Sequence, residues 1–290
     1  MKEIRIGDIV GRISYGCDVY FKVIELFPGG DGKKHARLKG LDMRLMATAP
    51  VEDLHKFEPA EVANYWHSFM TKNHEHLKRV FQRREQDRLR LLSRGGGTVN
   101  NLSSFDVPGS VLHIDGDGDY LDLCLTTYRQ LGIPAAGYQI DEEKQPERVM
   151  ELLQKHRPDM LVLTGHDGIE KEVRDFTDLN SYHNSRYFVE AVKKAREYEK
   201  SRDDLVIFAG ACQSHYEAIL QAGANFASSP QRVLIHAFDP VFVVEKIAYT
   251  SIYDPVSLKD IISGTITGFD GIGGIDTRGK HRLGIPKSPY

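Results

Sequence analysis

Cysteine is scarce in this chain. Three occur in 290 residues, Cys17, Cys124 and Cys212, and no two form a CxxC pair. An odd, sparse set excludes a disulfide framework and a zinc finger. Charge of one sign is lacking too: 38 Lys and Arg against 41 Asp and Glu leave −3, so no global field draws the chain to nucleic acid or to an anionic membrane. No apolar run approaches a membrane-spanning length, and the opening MKEIRIGDIVGRISYG has no apolar h-region. We therefore expect an intracellular protein made under reducing conditions, with no nucleic-acid or membrane partner. Phosphate cradles are missing as well. DGDGD (115–119) lacks the third glycine of a dinucleotide fingerprint and would repel a pyrophosphate, and PGGDGKK lacks the spacing and Ser/Thr of a P-loop.

What is present has a clear order. Residues 1–57 alternate apolar and polar positions in IRIGDIVGRISY and DVYFKVIELF, broken by the turn PGGDGKK, and we expect a small SH3-like β-barrel there. Pro59 opens a helical period to about Arg94, with Val62, Trp66, Phe69, Leu77, Val80 and Phe81 recurring at helix spacing and a basic second half. GGGTVNNLSS (95–104) reads as a flexible end, so residues 58–106 form a basic helical linker. Basic helix faces are most often simply solvated. His74 and His76, two apart on a helix, point to different faces and do not make a metal site.

From 107 to 290 apolar strands alternate with helices. SVLHID, PAAGYQI, DMLVLTG, DLVIFAG and RVLIHA are the expected strands. Repeated βα units with continuous apolar strands predict an α/β fold, a three-layer α/β/α domain around a parallel sheet. Ligands of such sheets sit beyond the carboxyl ends of the strands. Three candidate clusters follow strands: DGDGDY, GHDG with His166, and GACQS with Cys212. Cys212 stands between a strand and the helix SHYEAILQAG, where unpaired N–H groups and the helix dipole favour thiolate. Gly210 and Ala211 leave room for a substrate backbone to approach. His166 is placed to pass a proton to a leaving amine, and the backbone N–H groups of Gly168 and Cys212 to hold an oxyanion. Cys124 and Cys17 read as packing residues, and His113, His236, His183 and His215 as structural ones, with a place lining the cleft as the alternative for His183.

The sequence of a His-containing glycine turn after one strand and Ala-Cys after the next is similar to the caspase, legumain, gingipain and clostripain group of cysteine peptidases. Two departures are visible: Asp167 separates His166 from Gly168, and QSH rather than glycine follows Cys212. Over the whole length, IRIGDIVGRISYGCDVYFKV, LHIDGDGDYL, VLTGHDG, NSRYFVEAVKKAR and FAGACQSHYEAIL resemble the YabG family of sporulation-specific cysteine peptidases of spore-forming Firmicutes. The resemblance implies a caspase-like domain and a Cys212–His166 dyad working with no metal or cofactor. It implies spore-coat proteins as substrates, and a place in the mother-cell cytoplasm and developing coat. Arginine-directed members of the larger group carry an Asp just before Ala-Cys, where this chain has Gly210. We therefore expect the acid of an arginine pocket among Asp115, Asp117 and Asp119. Self-cleavage is expected in the arginine-rich stretch 83–97. Two rival readings stand beside this one: a haloacid-dehalogenase-like phosphohydrolase using Asp115 and magnesium, and a non-enzymatic coat scaffold.

Overall fold

The computed structural model describes residues 3–30, 32–94, 105–170 and 175–284. Contacts divide it into two units. One takes in the described residues of Met1–Leu41, Ala47–Phe105 and Leu283–Tyr290; the other is Asp42–Met46 with Asp106–Arg282. The stretch Asp42–Met46 thus groups with the second unit although it lies early in the chain.

In the first unit, strands β1 (Ile9–Arg12), β2 (Phe21–Pro28), β3 (Lys34–Gly40), β4 (Met46–Pro50) and β5 (Leu54–Lys56) make one five-stranded sheet in the order β4-β3-β2-β1-β5. Period-two burial drives it: Phe21 and Val23 are buried around exposed Lys22, and Ala36 and Leu38 around exposed Arg37. Helix α1 spans Pro59–Arg94. Pro59 supplies a preset φ at its start, and Glu61 accepts the Glu58 N–H at 2.8 Å, satisfying an amide at the helix entry. The stretch 95–104, read as a flexible end, lies outside the described residues.

Strand β6 (Phe105–Val107) spans the division, and the second unit contains β7 (Val111–Asp115), α2 (Gly118–Gln130), β8 (Ala135–Gln139), α3 (Gln145–His156), β9 (Met160–Thr164), α4 (Ser185–Tyr198), β10 (Val206–Ala209), α5 (Tyr216–Ala222), β11 (Phe226–Ser228), α6 (Asp239–Ala248), β12 (Pro255–Val256), α7 (Leu258–Ser263) and β13 (Ile272–Gly274). Its main sheet runs β13-β11-β10-β9-β7-β8, parallel from β8 to β11, with β13 antiparallel at the edge. The fold is α/β. Every residue of β7, β9 and β10 is buried, which is why these strands read as unbroken apolar runs. Leu112, Ile114, Leu161, Leu163 and Ile207 share one buried cluster with residues of α3, α4 and α5, while α2 packs against α6. The chain passes from β7 to β8 on one side and then to β9 on the other, so the order reverses between β7 and β9. That reversal opens a crevice at the strand ends. No helix among the described residues is long and apolar enough to cross a membrane.

One expected strand is corrected. RVLIHA (232–237) is not a sheet strand; the strand beside β10 is the shorter β11, Phe226–Ser228. The backbone of 233–237 is instead committed to loop partners, with Val233 C=O accepting the Gln213 N–H and the Ser229 hydroxyl, and Ile235 C=O the Arg44 N–H. An apolar hexamer has the same pattern in a buried loop as in a strand, and only its hydrogen bonds tell them apart.

Candidate active site

Register brings the expected residues to one level. Asp115 pairs with Thr164 across β7 and β9, and Asp117 and His166 each stand two residues further on. Leu163 pairs with Ala209 across β9 and β10, and His166 and Cys212 each stand three residues further on. Asp117, His166 and Cys212 therefore leave three adjacent parallel strands at equivalent positions, where neighbouring strands lie about 4.8 Å apart. Asp117 caps α2, its Oδ1 accepting the N–H groups of Asp119 and Tyr120 at 2.9 and 3.2 Å. Its Oδ2 lies 2.9 Å from His166 Nε2. His166 Nδ1 is buried and has no hydrogen-bond partner among the described residues. With Nε2–H donated to Asp117, the free lone pair of the ring is on Nδ1. Glu142, at the crevice between β7 and β9, accepts the His166 backbone N–H at 2.6 Å. A Cβ on Gly165 would run into the Glu142 carboxylate, which would have to move from its place on the His166 N–H.

Cys212 has no exposed surface. The turn bearing it is held tightly. Gly210 has φ +111°, and a Cβ there would collide with Ser228 Oγ. Gln213, directly after the cysteine, sits at φ +56° with its N–H shared by Val233 C=O and Ser229 Oγ. Such conformations persist only where the surroundings impose them. The Ile235 N–H donates to Sγ at 3.2 Å. Burial nevertheless pushes the thiol up to about 12.

A family model described as YabG peptidase U57 matches residues 5–286. The chain belongs to the YabG peptidase family. The sporulation-specific protease YabG of Bacillus subtilis (strain 168) is 41% identical over 287 residues, covering 98% of each chain.

Within this YabG-family chain, several expectations are corrected by the geometry. Cys212 is not at a helix N-terminus, since α5 begins at Tyr216 and is capped by His215; the resting thiol is protonated because it is buried. Gly210 serves backbone conformation and packing against Ser228 rather than substrate access. The Gly168 N–H is already bonded to Asp167 Oδ1 at 2.9 Å, which takes it away from an oxyanion. The Cys212 N–H, by contrast, donates to no acceptor among the described residues. Asp115 is wholly buried and its guanidinium partner is the chain's own Arg44, Nη1 to Oδ2 at 2.6 Å. Burial by itself would raise this carboxyl, but Arg44, His113 and the Asp117 N–H hold it well below the usual carboxylate range. The same pairing leaves it unsuited to the nucleophile role in a phosphohydrolase. Asp119 is exposed at the first turn of α2. His183 donates its backbone N–H to Gly168 C=O and pairs with Glu170.

Three further residues around these groups were not foreseen. Asp167 is buried, and four donors converge on it: the N–H groups of Gly168 and Asn184 on Oδ1, and the hydroxyls of Ser185 and Ser214 on Oδ2. Ser214 Oγ in turn accepts the Ala211 N–H, so the loop bearing His166 is tied to the loop bearing Cys212. Burial pushes the Asp167 carboxyl up, and these donors oppose that. Glu142 followed a strand and was open to the same rule that found His166. Arg44 had no local signal at all.

Asp117 has two tasks, and one substitution separates them. Asn caps a helix as well as Asp, but its amide cannot match a carboxylate in orienting and stabilising a charged imidazole. Asp117→Asn is expected to lower kcat at least a hundredfold with Tm unchanged within about 2 °C, because only the cap matters to stability. Peptide hydrolysis and a melting curve on the same preparation check both halves; a parallel loss of Tm and rate would reduce Asp117 to a cap.

Proposed function

We propose that the chain is an endopeptidase in which Cys212 and His166 form the working dyad, with Asp117 orienting the histidine. The observation that carries this is the alignment of the three residues on adjacent strands, with Nδ1 of His166 left unpartnered. The peptidase family supports the reaction class. As Cys212 Sγ bonds to the scissile carbonyl carbon, its proton passes to His166, which suits a thiol that rests protonated. His166 then protonates the leaving amine, and afterwards assists water in opening the thioester. The Cys212 N–H is the oxyanion donor in this reading, Gly168 being engaged. The domain is read as caspase-like and three-layered, and the first 57 residues as an SH3-like module that recruits a partner. The scaffold reading assigns no task to the aligned triad and is not pursued.

The relative is named for sporulation, and we extend that to this chain: late processing of spore-coat proteins in the mother cell, with cleavage after arginine. The buried Asp115–Arg44 pair supports an interior that accepts a guanidinium. Fluorogenic peptides differing only in the residue before the scissile bond test this. Arginine is expected to exceed lysine at least tenfold in kcat/KM, because a guanidinium makes paired bonds that an ammonium does not; equal rates for arginine and leucine would remove the acidic pocket. Incubating a coat extract with wild-type and Cys212→Ala protein, then mapping new N-termini, identifies the substrates.

A further inference from the structure

The stretch Asp42–Met46 follows β3 and groups with the second unit, where it turns tightly at Arg44, Leu45 N–H donating to Met43 C=O at 2.7 Å. It runs antiparallel to residues 235–237. Met43 bridges His236, Arg44 N–H donates to Ile235 C=O at 3.2 Å, and Ala237 N–H donates to Asp42 C=O at 2.8 Å. These main-chain bonds hold the alternate residues 42 and 44, as a recognition edge holds a peptide, and one side chain enters a pocket. That side chain is Arg44, which has no exposed surface. Nη1 meets Asp115, Nη2 lies 3.4 Å from Cys124 Sγ and 3.3 Å from Ala237 C=O, and the guanidinium carbon is 5.3 Å from the centroid of the Tyr120 ring.

The groups that hold this stretch also hold the chemistry. Ile235 accepts the Arg44 N–H and gives its own N–H to Cys212 Sγ. Tyr120 donates its hydroxyl to Met43 C=O at 2.6 Å and sets its ring 5.6 Å from that of His166. A permanent internal ion pair needs neither link. Nor is the guanidinium fully served: Arg44 Nε is buried and has no partner among the described residues, a loss that a purpose-built structural pair avoids.

We infer that Arg44 occupies the enzyme's own primary specificity pocket, with Asp115 as the pocket acid, and that the Arg44–Leu45 peptide bond is its first substrate. The inference rests on the Cys212–His166 dyad. The step balances without any co-reactant except water. Cys212 Sγ bonds to the Arg44 carbonyl carbon and its proton moves to His166; the bond to Leu45 nitrogen breaks, and that nitrogen takes the proton to become a new amino terminus. Water then displaces sulfur, leaving Arg44 with a carboxylate and Cys212 as a thiol again. While the segment is in place, no arginine of another protein reaches Asp115.

The test follows the full-length chain by intact mass and N-terminal sequencing, with a fluorogenic arginyl peptide present. A fragment beginning at Leu45 is expected, at purification or on incubation, and is absent from Cys212→Ala. In chain still uncut at the start, peptide hydrolysis rises at least tenfold as that fragment accumulates. Arg44→Gln is expected to give no such fragment and no lag. Where this variant does not fold, the position of the cut in wild-type protein decides alone. Steady hydrolysis of the peptide by chain that stays uncut at Arg44–Leu45, or cuts confined to 83–97, overturns the inference and leaves the dyad standing. No hydrolysis of the peptide and no cut overturns both.

Discussion

Cys212→Ala is expected to lower peptide hydrolysis by about 10⁴-fold or more while the chain stays folded. The size follows from covalent catalysis: without the sulfur there is no thioacyl intermediate, and what remains is binding and oxyanion stabilisation. His166→Ala is expected to fall as far, since a nucleophile and its proton carrier act as one unit and their losses do not add. The structural cost is small by comparison. Removing Sγ deprives the Ile235 N–H of its acceptor and empties a small volume, about 1–3 kcal/mol. Cys17, in the first unit, is the control, and Cys17→Ala is expected to keep wild-type turnover. Initial rates on one arginyl peptide, with a melting curve for each variant, make the comparison. Wild-type turnover in Cys212→Ala would rule out a cysteine nucleophile at this position.

The second large effect is at Asp167. Asp167→Ala strands two hydroxyls and two backbone amides inside the protein at once, those of Ser185, Ser214, Gly168 and Asn184. Hydrogen bonds to a charged group contribute about 1.5–3 kcal/mol each in isolation, but they share one carboxylate, and the burial cost of that carboxylate is relieved when it is removed. A net loss of about 3–5 kcal/mol is expected, a fall in Tm of roughly 10 °C for a unit of this size. Rate should fall by about 10² as well. The carboxylate links the His166 loop through Ser214 to the turn that carries Cys212, and small misplacements of reacting groups cost that much. Asp167→Asn is expected to recover part of both losses, because its carbonyl still accepts on one side while the hydroxyls on the other can turn to accept from the amide. A Tm for Asp167→Ala within 2 °C of wild type would show that these bonds hold nothing.

Much of the frame is open to reading along the chain because its causes are local. The runs around Leu112, Val162 and Ile207 are continuous and apolar since both faces of β7, β9 and β10 are covered, and glycine-bearing turns mark where each ends. Helix α1 begins at the proline that presets its first turn. The placing of Asp117, His166 and Cys212 just after strands follows from the same patterns. RVLIHA misleads because hydrophobicity reports burial and not the partner of a backbone; β11, three residues long, is too short to show a period.

What tertiary structure decided was everything that depends on pairing across distance. Register set Asp117, His166 and Cys212 at one level, and no local feature of the three strands states how far one slides along another. Burial, not the neighbouring helix, set the resting protonation of Cys212. Asp167 and Glu142 gained their tasks from loops folded onto them. Arg44 is the extreme case. It stands in a connection between two strands of another sheet, 71 residues before Asp115, and nothing in LDMRLM marks it. The sequence by itself determined which strands and turns exist and which chemical groups stand at their ends. The hydrogen-bond ladders and the desolvated interior decided which of those groups meet and in what charge state, because electrostatic pairing in a buried site depends on distance and burial that no local pattern encodes.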